Sequence, residues 1–328
     1  MGEAVFEVIE PGIFTTIQDL GRRGYFASGI PPSGAMDRFA LRMGNLLLKN
    51  PLGEAGIEIT ALGMRMEVVK DAVIALTGAD FDAKLNGNRV PPWQTLEVHK
   101  GDTLSLSRAR MGWRGYLCVA GGIDVPQVLG SKSTYTLGGL GGVRGRKLKK
   151  GDLLEAGPPF VPLESLKGRK VKEDVLPEPG TEKELRVVLG PQDDHVKKDS
   201  IHVFLNTAYR VSANSNRVGY RFEGPQLFFE EREASKDAGS DPSNIVDDGN
   251  AIGAIQIPGG TEPICLGPDG VTMGGYVKIA CLITADMDRM AQLRLRDYVR
   301  FQNVTVDKAR SILEESVSKV REESILSE

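Results

Sequence analysis

Leu96-Glu97-Val98-His99-Lys100-Gly101-Asp102-Thr103-Leu104-Ser105-Leu106-Ser107 reads as two short strands, Leu96–His99 and Leu104–Ser107, with Gly and Asp between them. In the second strand leucine and serine alternate, so one face is apolar and the other polar. The same grammar extends outward in both directions. Val5–Ile9, Ile57–Ile59, Met64–Val69, Val73–Thr77 and Tyr116–Ala120 favour β structure and are separated by Gly, Asp or Pro. Leu185–Leu189, Ile201–Leu205, Tyr209–Val211, Ile252–Ile257 and Val277–Ile283 repeat the pattern later in the chain. Short, closely spaced strands with turn signals predict a barrel or sandwich. Helical spacing is confined to Met36–Lys49, which Asn50-Pro51 stops, to Asp286–Leu295, and to Val306–Ile325. In the last of these, Ala309, Ile312, Leu313, Val317 and Val320 form a packing stripe. The fold class is mainly β with a few helices (α+β).

A chain of 328 residues exceeds the usual size of one core, so two lobes are expected. Pro158, Pro159, Pro162, Pro177 and Pro179 bracket a charged stretch, Lys167 to Asp174, with few apolar anchors. That stretch is the expected linker. The reading places an N-terminal lobe at 1–160, a linker at 161–183, and a C-terminal lobe with its terminal helix at 184–328.

The formal charge of −3 lacks the basic surplus of a nucleic-acid binder. Three distant cysteines, Cys118, Cys265 and Cys281, make neither a disulfide framework nor a zinc spacing. Cys118 and Cys281 lie in apolar runs and read as small buried hydrophobes. The first twelve residues show no signal-peptide pattern, and no apolar run approaches the ~20 residues that span a bilayer. A cytoplasmic protein without a membrane partner is expected.

Several common chemistries are missing. There is no Gly-x-x-x-x-Gly-Lys-Ser/Thr loop, and Gly138-Gly139-Leu140-Gly141-Gly142 does not fit a dinucleotide fingerprint. The three histidines have no metal-ligand spacing, so no metal site is expected. No Gly-x-Ser-x-Gly elbow occurs. Carboxylates, lysine, arginine, amides and backbone dipoles remain.

Three constellations offer them. In the first, Gln18, Asp19 and Arg22 cluster where Gly21 and Gly24 permit tight turns, and Ser33 and Asp37 bracket the start of the predicted helix. Ser33 and Asp37 either cap that helix or help its N-terminus receive an anion. The second is Gly130-Ser131-Lys132-Ser133-Thr134 with the glycine run and Arg144, Arg146, Lys147, Lys149 and Lys150. It is either an anion nest or a solvated basic loop. The third joins Arg217 and Arg221, in Asn216 to Pro225, to Gln256 and to Gly274-Gly275-Tyr276-Val277-Lys278. Arginine forks suit carboxylates and phosphates. Lys278 enters an apolar run, where burial would suit it to proton transfer unless it snorkels to the surface. Lys278, Asp37 and Asp19 are the candidate catalytic groups. Gln18, Arg22, Ser33, Lys132, Arg217, Arg221, Gln256 and Tyr276 are the candidate substrate or anion binders, and the last constellation predicts that Arg217, Arg221, Gln256 and Lys278 converge on one pocket.

Thr16–Asp37, Gly121–Pro126 with Gly130–Thr134, Arg217–Pro225, Gly253–Pro258, Gly274–Lys278 and Ala285–Gln292 together resemble the signature blocks of the KipA-like family. This family includes the C subunit of 5-oxoprolinase, allophanate hydrolase subunit 2, and part of the carboxyltransferase region of urea carboxylase. The blocks run in the family's order from about Ile9 to Phe301. The chain departs from the family at Val277, where proline is usual, at Leu295-Arg296-Asp297, where Pro-Gly-Asp is usual, and across Glu230 to Asn250. The resemblance implies a pair of cyclophilin-like β-barrel lobes. It also implies two partner proteins, one KipI-like and one LamB/YcsF-like, and ATP with Mg used by the complex to open 5-oxo-L-proline to L-glutamate. Two other readings stand beside it. One is carboxyl transfer from carboxybiotin, the biotin being carried by a partner because Met64-Arg65-Met66 has arginine where a modifiable lysine is needed. The other is a non-catalytic regulator that binds a KipI-like kinase inhibitor.

Overall fold

The computed structural model describes residues 2–177, 183–232 and 238–327. It divides into two compact units, and neither is continuous in sequence. The first comprises Met1–Arg23, Ser33–Pro179 and Val317–Glu328; the second comprises Gly24–Pro32 and Gly180–Ser316.

The first unit carries its strands in two sheets. One runs Leu153–Ala156, Glu3–Glu10, Arg65–Val68, Thr103–Ser105, Lys84–Leu85 and Asn88–Arg89 in spatial order. The other runs Phe14–Gln18, Gly56–Thr60, Met111–Val119, Ala72–Asp80 and Thr95–Val98. Phe6, Val8, Ile57, Ile59, Met66, Val68, Ile74, Leu104 and Leu117 belong to one shared core. Ala72–Asp80 reads as a continuous apolar run because it is covered on both faces. Ile74 and Leu76 join that core, while Val73 and Ala75 pack with Ala40, Leu41, Met43 and Leu47 of helix α1, Arg38–Leu47. Gly44 lets the helix approach closely, since a Cβ there would lie 2.7 Å from Cys118 Sγ. Cys118 is thus the small buried hydrophobe expected, and burial pushes its thiol up to about 12.

The expected linker is not one. Leu166 and Val171 are fully buried in the cluster under helix α1. Arg169 is 2% exposed. Its Nε donates to Leu47 O at 2.7 Å, its Nη2 to Leu46 O at 3.1 Å and its Nη1 to Glu322 Oε1 at 2.7 Å. Lys170–Val171 pairs with Ile325–Leu326. Two apolar anchors and one well-partnered guanidinium thus hold a segment whose composition looked too polar to pack. Within the segment read as a linker, 178–182 lie outside the described residues. The C-terminal lobe boundary is corrected as well, because from Val317 the chain is part of the first unit.

The second unit is built on a closed seven-stranded barrel. Its order is Lys183–Leu189, Lys278–Leu282, Ala254–Gln256, Ile264–Leu266, Gly219–Glu223, Tyr209–Val211 and Tyr298–Asn303. A parallel pairing of Lys183–Leu189 with Tyr298–Asn303 closes it. Phe204 stacks on Phe301 with centroids 4.5 Å apart, and Phe222 meets Phe301 edge-on at 5.2 Å. Ile201–Leu205, expected as a strand, lies in helix α2, Lys198–Asn206. Packing of Phe204 onto Phe301 overrides the β propensity of Ile201 and Val203. Helix α3 is Met287–Ala291 and helix α4 is Val306–Ser318, shorter than its predicted extent. Ala309, Ile312 and Leu313 are half-buried on α4, and Val317 is exposed. A separate two-stranded ribbon, Asn244–Gly249 with Met273–Tyr276, completes the unit.

Candidate functional site

The first constellation assembles, but as a solvent-excluded stitch. Gln18 Nε2 donates to Thr16 Oγ1 at 3.0 Å and to Thr134 O at 3.1 Å. Asp19 Oδ1 accepts from Gly21 N and Ser131 Oγ, each at 2.7 Å, and from Ser133 Oγ. Asp19 Oδ2 accepts from Lys132 N at 2.7 Å, and Arg22 Nη2 donates to Ser133 O. Gln18, Arg22 and Ser33 are all buried.

The segment leading into the helix is engaged with protein rather than open to an anion. Four successive N–H groups are occupied: Gly34 N by Gln18 Oε1, Ala35 N by Asp19 O, Met36 N by Glu58 Oε2 and Asp37 N by Tyr116 OH, at 2.8–3.1 Å. Asp37 is the helix cap, its Oδ1 accepting from Ala40 N at 2.8 Å. Lys132 is correspondingly withdrawn from any ligand, with Nζ 2.6 Å from Glu54 Oε1 and 3.1 Å from Ile123 O. The glycine run is close-packed, because a Cβ at Gly141 would collide with Ser133 O and one at Gly142 with Thr134 Oγ1. Arg146 forms a two-pronged pair with Asp152, both contacts 2.8 Å, and Arg144 is exposed.

In the second unit the expected convergence of four residues reduces to two. Arg217 is locked to the buried Asp269, with Nε–Oδ2 at 2.8 Å and Nη2–Oδ1 at 3.0 Å. Arg221 donates to Glu262 Oε2 at 2.8 Å on the surface. Each arginine has a carboxylate of its own, so neither is aimed at a common pocket.

Gln256 and Lys278 do meet. They are directly opposed across two barrel strands, just past a bulge between Ile255 and Gln256. Opposed residues project from the same face, and a bulge re-aims the side chains beside it. Lys278 is 2% exposed, and its Nζ is 3.1 Å from Asp248 Oδ2. Asp248 stands on the ribbon with its side chain about half exposed. The Lys278 hydrogen bond and charge hold the Asp248 carboxyl below the usual carboxylate range, with Gln192 assisting. Gln192 also grips the lysine main chain, its Oε1 accepting from Lys278 N at 3.2 Å and its N donating to Lys278 O at 3.1 Å. Gln256 Nε2 donates to Asn250 Oδ1 at 3.0 Å. Gly275 lets the ribbon strands close, since a Cβ there would lie 2.8 Å from Ile245 O. Tyr276, opposite Asn244, is exposed at the ribbon's end.

The candidate site is therefore Lys278, Asp248, Gln192, Gln256 and Asn250. Lys278 and Gln256 are among the candidates marked from the sequence, and Asp248, Gln192 and Asn250 are not. Asp248 and Asn250 lie in the acidic stretch that departs from the family pattern, and only the ribbon pairing brings them to the lysine. A buried ammonium beside a partly solvated carboxylate can hold negative charge on a reacting oxygen and move a proton. Among the described residues, no group of three His, Cys, Asp or Glu side chains is arranged to hold a metal. No helix among them is long and apolar enough to cross a membrane.

This β-rich chain matches a known class. Residues 28–303 match the family model described as carboxyltransferase domain, subdomain A and B. The chain belongs to that family. It is 36% identical over 310 residues to the C subunit of 5-oxoprolinase from Escherichia coli, covering 93% of both chains. It is 36% identical over 320 residues to urea amidolyase of Saccharomyces cerevisiae, covering 94% of this chain and 17% of that one. It also spans 17% of the urea amidolyase of Lachancea kluyveri. Among solved structures, urea carboxylase of Kluyveromyces lactis superposes with a TM-score of 0.91 at 33% identity, covering 100% of this chain and 30% of that one.

Proposed function

We propose that the chain is the C subunit of an ATP-dependent 5-oxoprolinase, which opens 5-oxo-L-proline to L-glutamate together with a LamB/YcsF-like partner and a KipI-like partner. The observation that carries this reading is the end-to-end match to the Escherichia coli protein, 93% of each chain. On this reading the lactam meets the chain at Lys278. The buried ammonium stabilises negative charge developing on the amide oxygen. Asp248, 3.1 Å from the lysine Nζ, is an acceptor for a proton leaving it.

ATP supplies the drive for an otherwise uphill ring opening, but the cations the sequence marks as anion binders are engaged within the protein. Lys132, Arg146, Arg217 and Arg221 are each held by a carboxylate. No step on this chain is therefore assigned to the nucleotide.

A second reading, biotin-dependent carboxyl transfer, is favoured by the superposition on urea carboxylase over the whole chain. Arg65, where a biotinyl-lysine would stand, pairs with Glu10 at 2.8 Å on the first unit's sheet, so a partner would bring the biotin. Reconstitution separates the two. Glutamate release that requires ATP and all three proteins, and that avidin does not affect, is the expected result. Bicarbonate-dependent turnover abolished by avidin would replace this reading with the second. If the chain instead relieves inhibition of a kinase by its KipI-like partner and supports no turnover, the regulator reading wins.

A further inference from the structure

We infer that Gln256 reads an N–H group of the bound substrate and that Asn250 sets its orientation to do so. This rests on the Lys278 site being where the substrate amide binds. A side-chain amide has a donor end and an acceptor end, and its neighbours fix which way round it stands. The chain of constraint starts at Val271 O, a backbone carbonyl that can only accept. Asn250 Nδ2 faces it at 3.3 Å, which turns Asn250 Oδ1 towards Gln256. Gln256 therefore presents Nε2 to Asn250, at 3.0 Å, and its Oε1 points the other way.

That oxygen accepts from no described residue. Nor is it one of the side-chain oxygens sealed from solvent without a partner, which are Ser33 Oγ, Thr60 Oγ1 and Tyr209 Oη. The ribbon covers the other end of both amides. A Cβ at Gly274 would lie 3.1 Å from Asn250 Nδ2 and 3.3 Å from Gln256 Nε2. Each nitrogen end thus donates to protein beneath Gly274, while one carbonyl oxygen is left open on the residue paired in register with Lys278. An open acceptor on the strand position paired with a lysine complements a group that pairs N–H with an adjacent carbonyl oxygen. A site of this kind discriminates strongly against an analogue lacking the N–H, because the acceptor is then left unpaired.

The test is a binding comparison on the complex assembled with its partner proteins, using four probes: 5-oxo-L-proline, N-methyl-5-oxo-L-proline, urea and tetramethylurea. Isothermal titration should find the N-methyl lactam at least about 30-fold weaker than the lactam. The discrimination should collapse in Asn250→Leu, where Gln256 is free to flip, and persist in Asn250→Asp, which keeps the acceptor that turns Gln256. Equal binding of methylated and unmethylated lactam by the wild type overturns the inference and leaves the proposed function intact. Discrimination within the urea pair alone, with no lactam binding, supports the inference and overturns the proposed substrate. Binding of none of the four overturns both.

Discussion

Replacing Lys278 by methionine removes a charge from a site that is 2% exposed and leaves behind Asp248, which solvent reaches. Stranding a half-solvated carboxylate costs little, and an apolar residue of similar length suits the pocket. The melting temperature should stay within a few degrees of wild type while kcat falls by about 10²–10⁴, the range for a positioned proton-transfer group. Calorimetry together with a glutamate-release assay checks both halves of the statement. The two arginines should separate in the opposite sense. Arg221→Ala opens a surface pair worth about 0–1 kcal/mol and should leave turnover unchanged. Arg217→Ala strands the buried Asp269 and should cost about 3–5 kcal/mol of stability, read by denaturant titration. At this scale Lys278 was legible as a candidate, because a lysine inside the apolar run Val277–Ile283 either snorkels or is buried, and the barrel strand buries it. Its partner was not, because Asp248 lies 30 positions away and reaches it only through a ribbon whose register the residues do not announce. Arg217 and Arg221 misled for the converse reason. A planar fork suits a ligand carboxylate and a structural one equally well, and Asp269 and Glu262 supplied the latter.

The ribbon that carries Asp248 is itself fastened at one end. Arg232 Nη1 lies 2.7 Å from His195 Nδ1, and its Nη2 donates to Asn244 O at 3.0 Å and to Pro242 O. Burial lowers the His195 pKa, the Arg232 charge lowers it further, and Asp194 opposes them. A neutral imidazole accepts from the guanidinium, and a protonated one repels it. Because the folded pKa lies below the ordinary 6.5, the fastening is intact above that pH and is lost as pH falls through the depressed value. The protection of the Asn244–Gly249 amides, taken as exchange rates corrected for their intrinsic pH dependence, should therefore fall on acidification below about pH 6.5. In His195→Ala that protection should be low and insensitive to pH over the same window, as read by mass spectrometry. Among the elements, β-favouring runs located about half of the strands and missed Phe14–Gln18, Gly219–Glu223 and the ribbon, while Asn50-Pro51 bounded helix α1. Ile201–Leu205 was misread because its β-branched residues give no hint that Phe204 will stack on Phe301. The proline-bracketed stretch was misread because two apolar residues and one arginine are too few to register in composition, yet enough to dock a segment.

At the scale of the molecule, a two-part β-rich organisation was legible from length and strand spacing, but the partition was not, since both units are assembled from separated pieces. A chain ending at Ser316 should be less stable than the full one. It loses the Ile325–Leu326 strand and the Glu322 carboxylate that pairs with the buried Arg169. Loss of a buried charge's counterion costs about 3 kcal/mol or more, so the truncation should appear as a clear drop in melting temperature. Protease should also leave Leu163–Val171 uncut for as long as the first unit stays folded.

The discontinuity has a further consequence for how the polypeptide can be divided. Gly24–Pro32, from the amino-terminal half, belongs to the second unit, and Val317–Glu328, from the carboxyl-terminal half, belongs to the first. Each half holds in trust a piece that the other needs. Two polypeptides made by opening the chain at 178–182 would thus be mutually incomplete, related as partners in a reciprocal exchange of segments. Expressed together, with a tag on the first alone, they should be recovered as a one-to-one pair, and expressed apart, each should be insoluble or readily degraded.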